Sequence, residues 1–166
     1  MLTVAILIYA AAMTAANLSV AAFGPAISPV NAFVLIGLDL ALRDWLHVRL
    51  KAWQMLALIV AAGAITYALN PAAGKIAVAS SAAFTAAALV DWATFARLRG
   101  SWLVRSNGSN VAGAAVDSLI FPTLAFGALI PHIVLLQFLA KVAGGALWAW
   151  VINMAAGRLF SVARAD

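Results

Sequence analysis

The chain has 166 residues, of which 66% are hydrophobic and only 9% are charged. Soluble domains are about half apolar and roughly a quarter charged, and a water-soluble domain of this length cannot bury so much apolar surface. The composition therefore excludes a soluble globular protein and predicts an integral membrane protein. The absence of cysteine from the sequence also excludes disulfides, thiolate metal sites and thiol nucleophiles.

Taken in chain order, the hydrophobic pattern predicts six transmembrane helices. A spanning helix needs ~20 residues, so six spans fill most of the chain and leave only short loops and tails. We therefore expect a single six-helix transmembrane domain over residues 1–166. The predicted spans cover residues 2–23, 32–45, 52–69, 75–95, 111–130 and 133–157.

Helix-breaking residues separate several of these spans. Residues 24–29 contain a glycine and two prolines, which predicts a turn, and Asn70-Pro71 and Pro131 end two later spans. Residues 97–110 are predicted to form a loop. No Lys or Arg precedes the first apolar run, so we expect it to remain as a span and not to be cleaved as a signal peptide.

The basic residues set the predicted orientation. The formal net charge of +5 resembles that of a nucleic-acid-binding protein, but in a chain this apolar Lys and Arg mark the cytoplasmic side of the membrane. The expected partners are therefore the lipid bilayer and a small solute, with no nucleic acid. Only Lys75 lies on the opposite side, which places both termini in the cytoplasm. The basic residues of the predicted cytoplasmic loops and tail are Arg49, Lys51, Arg97, Arg99, Arg105, Arg158 and Arg164.

Five ionisable residues lie deep within the predicted spans, where a charge at the bilayer centre costs ~2.5–3.5 kcal/mol. With a rise of about 1.5 Å per residue, Asp39, Asp117 and Lys141 fall near the midplane. Asp91 lies about a turn and a half from the cytoplasmic face, and Arg43 follows Asp39 by one helical turn. Such residues usually face a water-filled cavity or another part of the bundle.

Two interpretations of these charges are open at this point. Asp39 and Arg43 are four residues apart and can pair on one helix, and Asp117 and Lys141 can pair between helices, so the charges would simply fasten the bundle. Buried ion pairs are poor stabilisers, however, so we favour a polar cavity lined by these groups. Asp44, which is shallower, is expected to be a solvated helix end.

Neutral and aromatic side chains join the deep charges. Asn17 and Gln137 are polar residues within spans, and Phe121 follows Asp117 by one helical turn. A carboxylate can accept from adjacent ring N–H groups while Lys141 donates to a ring oxygen, so this combination suits a flat heterocycle. Composition alone indicates only a small polar solute.

Catalytic patterns are weak in this sequence. Asp91 and Asp117 lie on neighbouring spans at similar depth, as do the paired carboxyls of aspartyl proteases, but no protease motif surrounds them. His47 and His132 lie at span ends, and the sequence contains no metal-ligand spacing and no phosphate-binding glycine loop. We predict no enzyme and no cofactor, and keep an intramembrane aspartyl protease and a structural membrane subunit as alternatives to a carrier.

Five segments resemble those of one transporter family in the same order along the chain, from about residue 17 to about residue 148. Together they resemble the queuosine-precursor transporter family, also called the vitamin uptake transporter family, and most closely its short members from phage genomes. The segments are residues 38–44 (LDLALRD), 105–110 (RSNGSN), 116–122 (VDSLIFP), 125–127 (AFG) and Gln137-Phe138 with Lys141.

The resemblance implies a six-helix membrane protein similar in fold to the substrate-binding component of energy-coupling-factor transporters. Its implied activity is the import of 7-cyano-7-deazaguanine, or a related 7-deazaguanine, across the cytoplasmic membrane. The chain departs from longer bacterial members in lacking glutamate and extended tails, which leaves the preferred 7-deazaguanine open. The coupling ion and the formation of a homo-oligomer also stay open.

The expected binding site lies between the second, fourth, fifth and sixth spans, near the midplane and on its cytoplasmic side. We expect Asp117, and next Asp39, to accept from the ring N–H edge, and Lys141 to face the ring oxygen or balance the carboxylate. Arg43 is expected to pair with Asp39, and Arg105 either to close the cytoplasmic mouth or to act only as a topology charge. The candidate substrate-binding residues are Asp117, Asp39, Lys141, Asp91, Arg43, Phe121, Gln137 and Asn17.

Overall fold

The computed structural model describes residues 2–160, with side-chain surroundings up to residue 155, so Arg158 and Arg164 lie outside the side chains it describes. Within residues 2–160, six helices are long and apolar enough to cross a membrane, and no strand occurs. The predicted all-α, six-span architecture is confirmed. The spans are α1 (Leu2–Phe23), α2 (Pro25–His47), α3 (Ala52–Leu69), α4 (Pro71–Arg97), α5 (Trp102–Phe126) and α6 (Pro131–Phe160).

The second span begins earlier than the sequence predicts. Pro25 and Pro29 occupy the first turns of short helical segments, where a proline has no helical hydrogen bond to lose. The chain does turn in the predicted segment, at Gly24, but residues 25–31 belong to the second span and not to the connection. That glycine adopts a φ of 72°, which favours glycine, and it separates α1 from α2.

The fifth span also begins earlier, so the loop predicted over residues 97–110 is wrong from Trp102 onward. Ser101 caps α5 by accepting a hydrogen bond from the backbone N–H of Val104 at 3.4 Å. The polar residues that follow continue as helix because several of them are buried against other spans. The helix ends at Gly127, whose φ is 76°, and not at Pro131.

Glycines bring α2 and α6 into backbone contact. A Cβ atom on Gly37 would lie 2.6 Å from the carbonyl carbon of Gly144, and a Cβ atom on Gly144 would overlap the carbonyl oxygen of Phe33. Phe33 belongs to a π-helical segment, Ala32–Ile36, in the first half of α2. This close approach holds α2 against the half of α6 that carries Lys141.

Apolar side chains fill the interior and also cover the outside of the bundle. Tyr9, Met13, Leu40, Leu46 and Ile59 are among the fully buried members of the core. Many large apolar side chains are exposed on every span, which is the pattern of helices that face lipid. The buried polar residues are therefore confined to the space between the spans.

Candidate substrate-binding site

A buried pocket lies between α1, α2, α4, α5 and α6, in the half of the bundle farther from the basic loops. Asn17 enters it from α1, Ser80 and Phe84 enter from α4, and Phe121 enters from α5. The predicted set of helices is thus brought together, with α1 added. The pocket lies farther from the basic loops than the predicted site, because α2 lines it through its first half, up to Ile36, and not through Asp39.

The structure divides the candidate binding residues into two groups. Asn17, Asp117, Phe121, Gln137 and Lys141 line the pocket. Asp39, Arg43 and Asp91 are buried closer to the basic loops and do not line it.

Lys141 is the centre of the polar network in the pocket. Its Nζ lies 2.6 Å from Oδ2 of Asp117, and it donates to Oε1 of Gln137 at 2.8 Å and to Oγ of Ser118 at 3.3 Å. An ammonium group has three donors, so three protein acceptors use all of them. The pairing of Asp117 with Lys141, which the sequence leaves open, is present in the structure, so Lys141 balances the carboxylate.

Two polar atoms beside Lys141 have no hydrogen-bond partner. They are Oδ1 of Asp117, an acceptor, and Nε2 of Gln137, a donor, and both are buried. Leaving such an atom unpaired inside a protein costs about 1–3 kcal/mol. Lys141 holds the second polar atom of each side chain, Oδ2 of Asp117 and Oε1 of Gln137, so the protein fixes the orientation of the two unpaired atoms.

The pocket is nearly closed in this conformation. Its volume is about 310 Å³ with the open mouth included, but the space available to the centre of a water molecule is only about 20 Å³. One water needs at least ~10–15 Å³ on that measure, whereas a drug-sized ligand needs a cavity of roughly 300–1,000 Å³. The pocket is therefore too small for a heterocycle in this conformation.

A second polar cluster lies nearer the basic loops, and Arg43 is its cation. Nη2 of Arg43 lies 3.3 Å from Oδ1 of Asp91, and both side chains are buried. The predicted pairing of Arg43 with Asp39 is wrong. The reason is Gly113 on α5, where a Cβ atom would lie only 2.9 Å from Nη2, so the missing side chain opens the path from Arg43 to Asp91.

Asp44 belongs to the same cluster, and its expected role as a solvated helix end is wrong. Its side chain is 1% exposed, and its Oδ2 accepts a hydrogen bond from Oγ of Ser106. Asn110 donates to the same Oγ at 3.4 Å. Because α5 begins at Trp102 and not at residue 111, Ser106 lies on a helix that faces α2. Ser106 and Asn110 are site residues that the loop prediction hid.

Asp39 lies between the two clusters on α2. It is fully buried, and neither of its carboxylate oxygens has a hydrogen-bond partner. It interacts electrostatically with Arg43 and Asp117, and Tyr9 of α1 interacts with it. Tyr9 was not identified from the sequence. The available signal was a hydroxyl group in the middle of an otherwise apolar, alanine-rich span.

Arg105 joins α4 to α5. Its Nε and Nη2 donate to the carbonyl oxygen of Phe95 at 3.2 and 3.0 Å, and its guanidinium lies 4.0 Å from the centre of the Phe95 ring. These contacts satisfy a carbonyl group in the last turn of α4, where helical partners are missing. Arg105 therefore fastens the basic ends of α4 and α5 to each other.

The two aspartates of the protease alternative have different cationic partners. Asp91 pairs with Arg43 and Asp117 pairs with Lys141, whereas the carboxyls of an aspartyl protease share one proton. Only Asp117 of the two reaches the pocket. The geometry favours a site that binds a solute over one that cleaves a peptide.

Comparison with known proteins gives a family. The family model described as "Putative vitamin uptake transporter" matches residues 2–155. The chain belongs to the vitamin uptake transporter family. No curated protein and no solved structure matches it. As a vitamin uptake transporter with six apolar spans, the protein is a multi-pass membrane protein of a transporter family, which fits the predicted absence of enzymatic activity.

Proposed function

We propose that this vitamin uptake transporter imports a 7-deazaguanine, with 7-cyano-7-deazaguanine as the first candidate, across the cytoplasmic membrane. The substrate binds in the pocket between α1, α2, α4, α5 and α6. This proposal combines the family with the segments that resemble queuosine-precursor transporters, and it assigns the cytoplasmic side to the end of the bundle that carries the basic loops.

The observation that carries the proposal is the unpaired donor and acceptor of Gln137 and Asp117. A guanine-type ring presents ring and exocyclic N–H donors beside a carbonyl oxygen. Oδ1 of Asp117 can accept from the N–H groups, and Nε2 of Gln137 can donate to the carbonyl oxygen. Phe84 and Phe121 line the same pocket and supply apolar surface for the faces of a flat ring.

The experiment is complementation in a bacterial strain that can neither make nor import the precursor. The strain expresses this chain, receives a limiting external supply of 7-cyano-7-deazaguanine, and its tRNA is assayed for queuosine. We expect restored queuosine, with uptake of the labelled substrate reduced by unlabelled 7-deazaguanines. If the protein is present in the membrane and queuosine stays absent, the proposed substrate is wrong.

A second arm separates the substrate from the family. The same cells are assayed for uptake of labelled vitamins, with and without an excess of 7-cyano-7-deazaguanine. Vitamin uptake that the excess does not reduce would contradict the proposed substrate while leaving the transporter family intact.

A further inference from the structure

A second cavity lies at the basic end of the bundle, between α2, α3 and α4. Its volume is about 330 Å³, and it shares no lining residue with the substrate-binding pocket. Met55, Leu56 and Ile59 of α3 and Ala88 and Leu89 of α4 form most of its walls. A buried water needs two to four polar partners, so walls of this kind favour an apolar occupant.

The mouth of this cavity lies where the membrane meets water. Trp53 is the second residue of α3, and Trp92 lies five residues before the end of α4. Both line the cavity and are 65% and 53% exposed, as expected of tryptophans at a membrane interface. His47 lines it from the end of α2, with its ring centre 6.2 Å from that of Trp92. Along α4 the cavity continues to Thr85, which is ~10 Å deeper in the span, so its long direction follows the helices as an acyl chain does.

A buried arginine faces the cavity with unpaired donors. Arg43 of α2 lines it, although the side chain is only 2% exposed. Nε and Nη1 of Arg43 have no hydrogen-bond partner, and Nη2 has the ionic contact with Asp91 at 3.3 Å. Because Asp91 offsets the charge of Arg43, a neutral acceptor suits these donors better than a second anion does. The carbonyl oxygen of a lipid ester is such an acceptor.

The surface around the mouth carries positive charge that no exposed acidic side chain offsets within residues 2–155. All four aspartates of this part of the chain are buried, and the sequence contains no glutamate. Clusters of basic residues beside a transmembrane helix bind anionic lipid headgroups. The exposed basic side chains at this end are Arg49, Lys51, Arg97 and Arg99, and Lys51 directly precedes Ala52, which lines the cavity.

We propose that this cavity binds one anionic phospholipid from the leaflet on the basic side of the membrane. An acyl chain lies between the apolar walls, an ester carbonyl accepts from the guanidinium of Arg43, and the phosphate stays at the mouth beside Lys51 and Arg97. The lipid fills the space between the three helices and satisfies donors that the protein leaves unpaired. This site is separate from the substrate-binding pocket, so the inference does not depend on the identity of the substrate.

The first experiment identifies the lipid that stays with the full-length protein. The protein is extracted in a mild detergent from cells that contain phosphatidylglycerol and phosphatidylethanolamine, and bound lipid is counted by native mass spectrometry. We expect the wild type to retain one phosphatidylglycerol per chain and Ala88→Phe to lose it, because the added ring occupies the cavity. Ala86→Phe is the matched control, since Ala86 lies on the same helix but lines a different groove. Retention by Ala88→Phe equal to that of the wild type, or a wild type without bound phosphatidylglycerol, would overturn the proposal.

The second experiment tests the headgroup and leaves the cavity unfilled. The protein is placed in vesicles of unbrominated phosphatidylcholine with a small fraction of a phospholipid whose acyl chains carry bromine, which quenches nearby tryptophans. We expect brominated phosphatidylglycerol to quench more strongly than brominated phosphatidylcholine, and the Trp53→Phe/Trp92→Phe double variant to lose this difference. Lys51→Gln should weaken the binding of phosphatidylglycerol about fivefold, whereas Lys75→Gln, at the opposite end of the bundle, should not. Equal quenching by the two lipids in the wild type would overturn the anionic headgroup.

Other occupants of the cavity give different results. Displacement of the bound phosphatidylglycerol by 7-cyano-7-deazaguanine would make the cavity a second substrate site. A wild-type dimer that Ala88→Phe dissociates would make it an interface between two copies of the chain. Either result would overturn the lipid site and leave the proposed function intact, whereas a lipid bound as expected to a protein that transports no 7-deazaguanine would leave the lipid site intact.

Discussion

At the scale of single residues, the orientation of Asp117 explains how one carboxylate serves two partners. Its Oδ2 binds Lys141, and its Oδ1 is left free towards the pocket. Lys141 therefore compensates the charge and also fixes the direction of the second oxygen, which is the acceptor assigned to the proposed substrate.

Replacing Asp117 with Asn should abolish most uptake while leaving membrane insertion intact. A hydrogen bond to a charged group contributes ~1.5–3 kcal/mol, so we expect substrate binding to weaken by roughly 10- to 100-fold. The measurement is initial uptake at equal amounts of protein in the membrane, with D166N as the matched substitution. Uptake by D117N at the wild-type rate would contradict the assignment of Asp117.

Gln137 offers a test of the donor in the pocket. Gln137→Glu keeps an oxygen for Lys141 but replaces the unpaired Nε2 donor with an acceptor, which repels a ring carbonyl. We expect the KM for 7-cyano-7-deazaguanine to rise at least tenfold. Gln54→Glu is the matched control, because Gln54 uses only its Oε1, which accepts from the backbone N–H of Lys51 at 2.8 Å. Equal KM values for the two variants would contradict this role of Gln137.

At the scale of elements, the packing of α2 on α6 depends on Gly144 more than on the adjacent Gly145. A Cβ atom on Gly144 would overlap the carbonyl oxygen of Phe33, whereas the nearest atom to a Cβ on Gly145 is Nδ2 of Asn110 at 3.6 Å. The π-helical segment here presents another carbonyl, that of Val34, which accepts from Nε1 of Trp148 at 3.0 Å. The backbone at this contact therefore has little freedom to move away.

Replacing Gly144 with Ala should destabilise the bundle, while Gly145→Ala should not. Forcing a methyl group into a closely packed contact costs about 1–3 kcal/mol, and alanine is otherwise the better helix former. We expect a lower Tm for G144A and an unchanged or higher Tm for G145A, measured by thermal unfolding in detergent. If the two variants melt at the same temperature, the contact between α2 and α6 does not limit stability.

The elements also show where sequence reasoning is sufficient. Residues 52–69 are predicted with the bounds of α3, because the apolar run stops at a basic segment on one side and at Asn70-Pro71 on the other. The start of α5 could not be predicted in this way. Its polar first turns are typical of a loop, and they are helical because Ser106 finds a buried partner, Asp44, on a distant part of the chain.

In the candidate site too, some contacts can be inferred from the sequence and others cannot. The pairing of Asp117 with Lys141 is one of the two interpretations that the sequence leaves open, because both are charges at similar depth that need a partner. The choice of Arg43 between Asp39 and Asp91 depends on the space left by Gly113, which is a property of the packed helices and not of any local pattern. The sequence therefore indicates several of the buried polar residues, and packing decides how they pair.

At the scale of the whole molecule, the pocket lies in the half of the bundle farther from the basic loops, and it is too small for a heterocycle in this conformation. Transport requires the spans to open first towards one side of the membrane and then towards the other. The absence of cysteine from the chain makes this motion measurable, because a single introduced cysteine is the only thiol in the protein.

Two buried serines give a matched pair for that measurement. Ser80 lines the pocket, and Ser109 lies in α5 on the basic side, where its Oγ donates to the carbonyl oxygen of Ser106 at 3.2 Å. Both side chains are almost completely buried in the closed state, at 2% and 0% exposure.

We expect a small membrane-impermeant thiol reagent, added outside, to modify Ser80→Cys but not Ser109→Cys, because only the pocket opens outwards. Saturating 7-cyano-7-deazaguanine should slow the modification of Ser80→Cys several-fold, since the bound ring covers the thiol. Equal labelling of the two variants, or labelling of Ser80→Cys that substrate leaves unchanged, would mean that the pocket is not the outward-opening substrate site.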